Sequence, residues 1–137
     1  MIEFESLKSM LGSEITCVLS DGKELVTSRE RGVKPLVEFI DGGKNFCGYF
    51  AADKVVGRAA ALLYAYMKIN ALYAGVISES ALEVCNEHGI RVSYGTLVKN
   101  IINRRGDGIC PMEALTADIR DPSEALDKIK RKLKEMN

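Results

Sequence analysis

The stretch Phe50-Ala51-Ala52-Asp53-Lys54-Val55-Val56-Gly57-Arg58-Ala59-Ala60-Ala61-Leu62-Leu63 decides the fold. From Val55 to Met67 only Gly57, Arg58 and the terminal region interrupt apolar or small residues, which predicts a helix apolar nearly all round. Such a helix has to be covered on most sides. Ala59, Ala60 and Ala61 let neighbours approach closely. Just upstream, Asn45-Phe46-Cys47-Gly48-Tyr49-Phe50 reads as a strand feeding that helix, with Asp53 and Lys54 at the turn between them.

Working outward, the chain alternates strand and helix signals. Upstream, Phe4, Leu7, Met10 and Leu11 recur at helical spacing before Gly12. Residues 15–20 and 23–28 flank Asp21-Gly22, a dipeptide suited to a tight hairpin turn. Val33, Leu36, Val37 and Ile40 make a helical stripe with Pro35 in its first turn and Gly42-Gly43 after it. Downstream, residues 70–77 form an apolar run without a helical stripe, as in a central strand. Ser80-Ala81-Leu82-Glu83 matches a capping box for a helix ending at Gly89, and residues 90–94 read as another strand. Thr96 is expected to cap a helix carrying Leu97, Val98, Ile101 and Ile102. Helices are predicted again from Pro111 and from Pro122, separated from it by the polar loop 103–108 and Cys110. The expected architecture is one α/β domain over residues 1–137, a three-layer α/β/α sandwich on a mixed five-stranded sheet.

The totals restrict function. With 19 basic and 19 acidic residues, nucleic acid is not an expected partner. The first residues lack the pattern of a signal peptide and no apolar run approaches a membrane span, so a cytoplasmic, non-membrane protein is expected. Cys17, Cys47, Cys85 and Cys110 are scattered, and no pair is spaced like a zinc knuckle.

Ligands of open α/β sheets gather at the carboxyl ends of parallel strands, where helix N-termini point. That rule selects Asp53-Lys54, Ser78-Glu79-Ser80, Tyr94-Gly95-Thr96 and Cys110. Asp53 reads as a helix cap or as the group that fixes a ligand-binding turn. Lys54 and Arg58, one turn apart, would face an anion, although Arg58 could equally be paired or reach solvent. Cys110 beside Pro111 would feel the positive end of a helix dipole, with Arg104 and Arg105 acting in the same sense and Glu113 as a cap or acid/base group. It could equally be a small buried hydrophobe. His88, in the last turn of its helix, is read as a cap or surface group.

Residues 53–62, 76–82, 92–95 and 108–113 together resemble a small prokaryotic family of unknown function whose fold is similar to cytidine deaminase. The resemblance implies that fold and no established activity. Deaminases place His/Cys-Ala-Glu at one helix start and Pro-Cys-x-x-Cys at the next, where they hold zinc. Here those starts read Asp53-Lys54-Val55-Val56-Gly57 and Ser78-Glu79-Ser80-Ala81, so neither metal nor another cofactor is expected. Three functions follow as expectations. The first is binding of a small polar or anionic, nucleotide-like ligand by Lys54, Arg58, Ser78, Glu79 and Ser80. The second is catalysis or sulfur transfer by Cys110 with Glu113 or Asp53 assisting. The third is a homodimeric interaction protein joined around Leu62, Tyr66 and Tyr73.

Overall fold

The computed structural model describes residues 2–136. A short helix α1 (Phe4–Met10) precedes the hairpin of β1 (Cys17–Ser20) and β2 (Leu25–Ser28). Then come α2 (Lys34–Asp41), β3 (Phe50–Val56), α3 (Arg58–Met67), β4 (Ala71–Ser78), α4 (Glu79–Glu87) and β5 (Arg91–Val98), and finally α5 (Pro111–Leu115) and α6 (Pro122–Met136). The sheet order is β2-β1-β3-β4-β5. β1 is antiparallel to both of its neighbours, whereas β3, β4 and β5 run parallel, so the five-stranded sheet is mixed as expected.

Two predicted elements change. Residues 45–49 form no strand: the chain turns at Cys47-Gly48, where the Asn45 side chain accepts the Cys47 N–H at 2.9 Å and Gly48 sits at φ +83°. The strand starts at Phe50 and runs to Val56, so Asp53 and Lys54 lie within a strand instead of at a helix start. Likewise Thr96 does not cap a helix. β5 continues through Val98 because Thr96, Leu97 and Val98 pair with Val76, Ile77 and Ser78. β-branched Thr and Val suit that pleated ladder better than a helix, where χ1 would be restricted.

The small-residue helix is central, as its composition predicts. α3 packs against α2, α4, α5, α6 and β3, and every residue from Arg58 to Leu63 is buried. The helices α2 to α6 cover one sheet face, where Leu19, Ala51, Leu72 and Ala74 meet Leu36, Leu62, Val84 and Ile129 in the main core. On the other face α1 is the one helix among the described residues that packs, placing Leu7 against Val18 and Ala52, with Ile2, Leu11 and Ile15 beside it. The third layer of the expected sandwich is therefore reduced to one seven-residue helix.

A row of residues crosses the parallel strands at one level and resets their alternation. Asp53 pairs with Ala74 and Val55 with Val76 in one unbroken register, but Lys54 and Gly75 between them are not paired; Gly75 and Gly95 are passed over in the same way between β4 and β5. A side chain at Gly75 would lie 2.7 Å from the Lys54 carbonyl oxygen, and one at Gly95 would lie 2.9 Å from the Gly75 carbonyl oxygen. Glycine is needed there because backbones touch. Across this level, Asp53 and Val56 are both buried while Lys54 and Val55 between them are exposed.

Candidate functional site

β3 and β4 are parallel neighbours, so the helices that follow them start side by side. Gly57 caps α3 in extended conformation, and Ser78 caps α4 by accepting the Ala81 N–H at 3.2 Å. The first turns of two helices meeting in this way make a zone of positive potential from their unpaired N–H groups. That zone is filled from within. Glu113, on α5 and only 5% exposed, accepts the Arg58 N–H at 2.7 Å and the Ser78 hydroxyl at 3.0 Å on one carboxylate oxygen. Its other oxygen accepts the Ile101 N–H at 2.7 Å. The reason for glycine at position 57 is visible here: an added Cβ would stand 3.3 Å from the Glu113 carboxylate and 3.2 Å from Ile101.

Arg58 is oriented away from this junction and fully used. Its Nε donates to the carbonyls of Thr116 and Ile119 at 2.8 and 3.0 Å, and Nη2 donates to Ile119 at 2.6 Å. Nη1 donates to the Ser80 hydroxyl at 2.9 Å. The planar guanidinium thus joins the start of α4 to the segment after α5, with only 4% of the residue exposed. Of the other residues read as ligand contacts, Lys54 is exposed and its ammonium donates to the Gly12 carbonyl at 3.0 Å. Glu79 lies exposed in the first turn of α4. Lys54 and Arg58 therefore do not converge as predicted: the Lys54 ammonium goes to Gly12, whereas the Arg58 guanidinium goes to Ser80 and Ile119.

Asp53 belongs to a different buried group. Its register partner across the β1–β3 ladder is Cys17, and Tyr64 of α3 sits over both. The Tyr64 hydroxyl donates to the Asp53 carboxylate at 2.7 Å and lies 3.2 Å from the Cys17 sulfur. Loss of water around Asp53 raises its carboxyl from 3.8 to about 7, against the opposing effect of the bond from Tyr64. Burial also pushes the Cys17 thiol and the Tyr64 phenol well above their ordinary values. Asp53 is therefore neither the helix cap nor the ligand-turn residue predicted. The signal for this group was Tyr64, an aromatic with a polar tip in a helix that is apolar nearly all round.

Cys110 precedes α5, which is five residues long, and its side chain caps no N–H group. The thiol is half-buried and packs against the main core. Cys85 is a core residue, and burial raises its thiol to about 12, whereas Cys47 is exposed. His88 stands at the carboxyl end of α4, as predicted. Leu62 is fully buried, while exposed Tyr66 and half-buried Tyr73 lie on opposite sides of the sheet, so these three residues form no common surface.

A cleft of about 700 Å³ lies at the opposite end of the sheet, where Lys44, Tyr66, Lys68, His88 and Asp121 line it. Several of its polar groups already have partners: Lys44 pairs with Glu24, and Asp121 accepts the Ser123 N–H at 3.1 Å.

Zinc does not fit the junction of α3 and α4. The residues there are Gly57, Arg58, Ser78 and Glu113, and the single carboxylate is held by three donors, leaving no set of nitrogen and sulfur ligands. Among the described residues no cluster of three or more His, Cys, Asp or Glu could hold a metal ion. Nor is any described helix long and apolar enough to cross a membrane.

The fold and junction define a class: an α/β protein with a mixed open sheet in which an internal carboxylate closes the paired helix starts. Residues 6–133 match the family described as TM1506, domain of unknown function (DUF1893), and the chain belongs to that family. It is similar to the crystal structure of a DUF1893 family protein from Thermotoga maritima, at 30% identity and a TM-score of 0.85. The likeness covers 96% of this chain and 92% of that one. No match was found among curated proteins.

Proposed function

We propose that this chain is a non-catalytic binding protein built on a deaminase-like scaffold, and that it receives an extended partner segment along the free edge of β5. Two features support the scaffold reading. The helices after parallel neighbours β3 and β4 start side by side, which is where a deaminase carries its zinc ligands, and here Glu113 fills that place. Arg58, Ser78 and Ser80 spend their side chains on internal partners, which speaks against the small anionic ligand expected at these helix starts. The five-residue length of α5 weakens the case for Cys110 as an activated nucleophile.

The edge strand carries the reading. β5 ends the sheet, spans eight residues and is exposed over most of its length, with Tyr94 and Leu97 each 41% accessible. It contains no proline and no mid-strand charge, the usual devices that protect an edge from pairing. Its ends are cationic, with Arg91 at one and exposed Lys99 just beyond the other. A second copy paired antiparallel about Tyr94 and Gly95 would bring Arg91 close to its partner's Lys99. A segment with carboxylates at both ends suits the edge better, its main chain supplying affinity and its acidic residues register.

Selection from a displayed peptide library tests this. The expected outcome is extended peptides with apolar centres and acidic ends, whose binding weakens at least tenfold in Arg91→Glu with Lys99→Glu and is abolished by Thr96→Pro. Selected peptides that bind both variants normally would overturn the edge as the site. A stable dimer in light scattering, broken by Thr96→Pro, would replace the peptide with a second copy.

A further inference from the structure

We infer that Asp53, Tyr64 and Cys17 form a buried proton switch, in which uptake of one proton reverses the hydrogen bonds tying helix α3 to strands β1 and β3. All three side chains are in the interior: Asp53 is 8% exposed, Cys17 2% and Tyr64 0%. They come from three elements, and the Tyr64 hydroxyl bridges the other two at 2.7 and 3.2 Å. A hydroxyl can donate only one proton, so its two contacts must have opposite sense.

With Asp53 ionised, Tyr64 donates to the carboxylate, and the phenol oxygen accepts from the Cys17 S–H. When the carboxylate takes up a proton from solvent, the new O–H donates to the phenol oxygen, and Tyr64 turns its own O–H toward the Cys17 sulfur. The thiol keeps its proton and loses its acceptor. One proton enters, no covalent bond other than O–H forms, and the directions of both hydrogen bonds reverse together. Either atom of the Tyr64–Cys17 pair can serve as the donor at this distance.

The surroundings isolate the device. From β1 the ionisable group facing Asp53 is Cys17; from α3 it is Tyr64; its partner on β4 is Ala74. Neighbouring Lys54 points elsewhere, to the Gly12 carbonyl. No cation is among the groups acting on the carboxyl, and water is excluded, so the neutral form is favoured over an unusually wide pH range. A carboxylate needed only for stability would ordinarily be paired with a cation. Here it sits where the hub helix meets the junction of the antiparallel and parallel halves of the sheet, so its protonation state bears on how those halves are held together.

The test uses the whole protein and needs no variant for its first reading. Carboxyl carbon NMR should follow Asp53 titrating between pH 6 and 8, and the infrared S–H stretch of Cys17, isolated by subtracting Cys17→Ala, should shift with the same midpoint. Tyr64→Phe should move the Asp53 midpoint upward, because the carboxylate loses its only side-chain donor, and should remove the pH dependence of the S–H band. An Asp53 midpoint below 5 would overturn the inference. So would an S–H band that stays constant while Asp53 titrates, since the carboxyl would then act without reversing the bridge.

Discussion

Glu113 illustrates at the residue scale how an internal group can occupy a position suited to a ligand. Two helix starts and a loop N–H converge on its carboxylate, each bond charge-assisted and out of water. Replacing it tests how much of the fold depends on that closure. Glu113→Gln turns one acceptor oxygen into an N–H₂ that faces a donor, and is expected to cost about 2 kcal/mol in urea unfolding. Glu113→Ala leaves three donors without a partner and should cost roughly 3–5 kcal/mol. Gly57→Ala pushes a methyl toward the same carboxylate and should cost on the order of 1–2 kcal/mol with m unchanged. If Glu113→Ala were neutral, the carboxylate would not be the element that closes the junction. Sequence reading named Glu113, Arg58, Ser78 and Ser80, and all four are in this region. It misassigned their roles, because spacing along the chain shows which side chains start a helix and not which of them find one another.

At the scale of elements, the sheet depends on a single level of close backbone contact across β3, β4 and β5. Gly75→Ala sets a Cβ against the Lys54 carbonyl, which cannot swing aside as a side chain would. The expected loss is on the order of 3 kcal/mol, measured by thermal or urea unfolding. The alternation reset at the same level explains why β3 was read too early. Lys54 and Val55 are both exposed and Val56 is buried, so the segment lacks the strict period of two by which a strand is recognised. The apparent helix at Thr96 failed for a related reason: Leu97, Val98, Ile101 and Ile102 have helical spacing, but Leu97 is exposed and the pairing with β4 continues to Val98. Pairing with a formed neighbour outweighed local periodicity.

For the whole molecule, the buried carboxyl makes a prediction about pH. Asp53 ionises near 3.8 in the unfolded chain and at about 7 in the folded protein, so between these values the folded state binds more protons. Stability contributed by this group is therefore complete below pH 4, falls as pH rises through 7, and is level above it. The full span corresponds to a loss on the order of 4 kcal/mol. Asp21 and Glu24 work in the opposite sense: their carboxyls are held low by backbone N–H groups and by Lys44 respectively, so their contribution is lost on acidification. The two effects occupy different windows. Denaturation midpoints for the wild type should fall between pH 5 and 8.5, while Asp53→Asn should be nearly flat there and the more stable protein at pH 8.5. A wild-type midpoint constant over that interval would show that Asp53 ionises normally.

The sequence by itself determined the α/β class, the mixed five-stranded sheet, the opening hairpin and the small-residue helix at the centre. These follow from composition and periodicity, which register how much surface each segment has to bury. It also determined which residues stand near the two helix starts. Only the tertiary structure decided that Arg58 ties α4 to the segment after α5, that Glu113 closes the junction, and that Asp53 faces Tyr64 and Cys17 inside the core. Each of those contacts joins residues well apart in the chain, up to 61 positions in the Arg58–Ile119 bond, and no local pattern encodes such a pairing. Whether a charged group is free for a ligand or already satisfied depends on what the folded chain brings to it, and that is a property of packing.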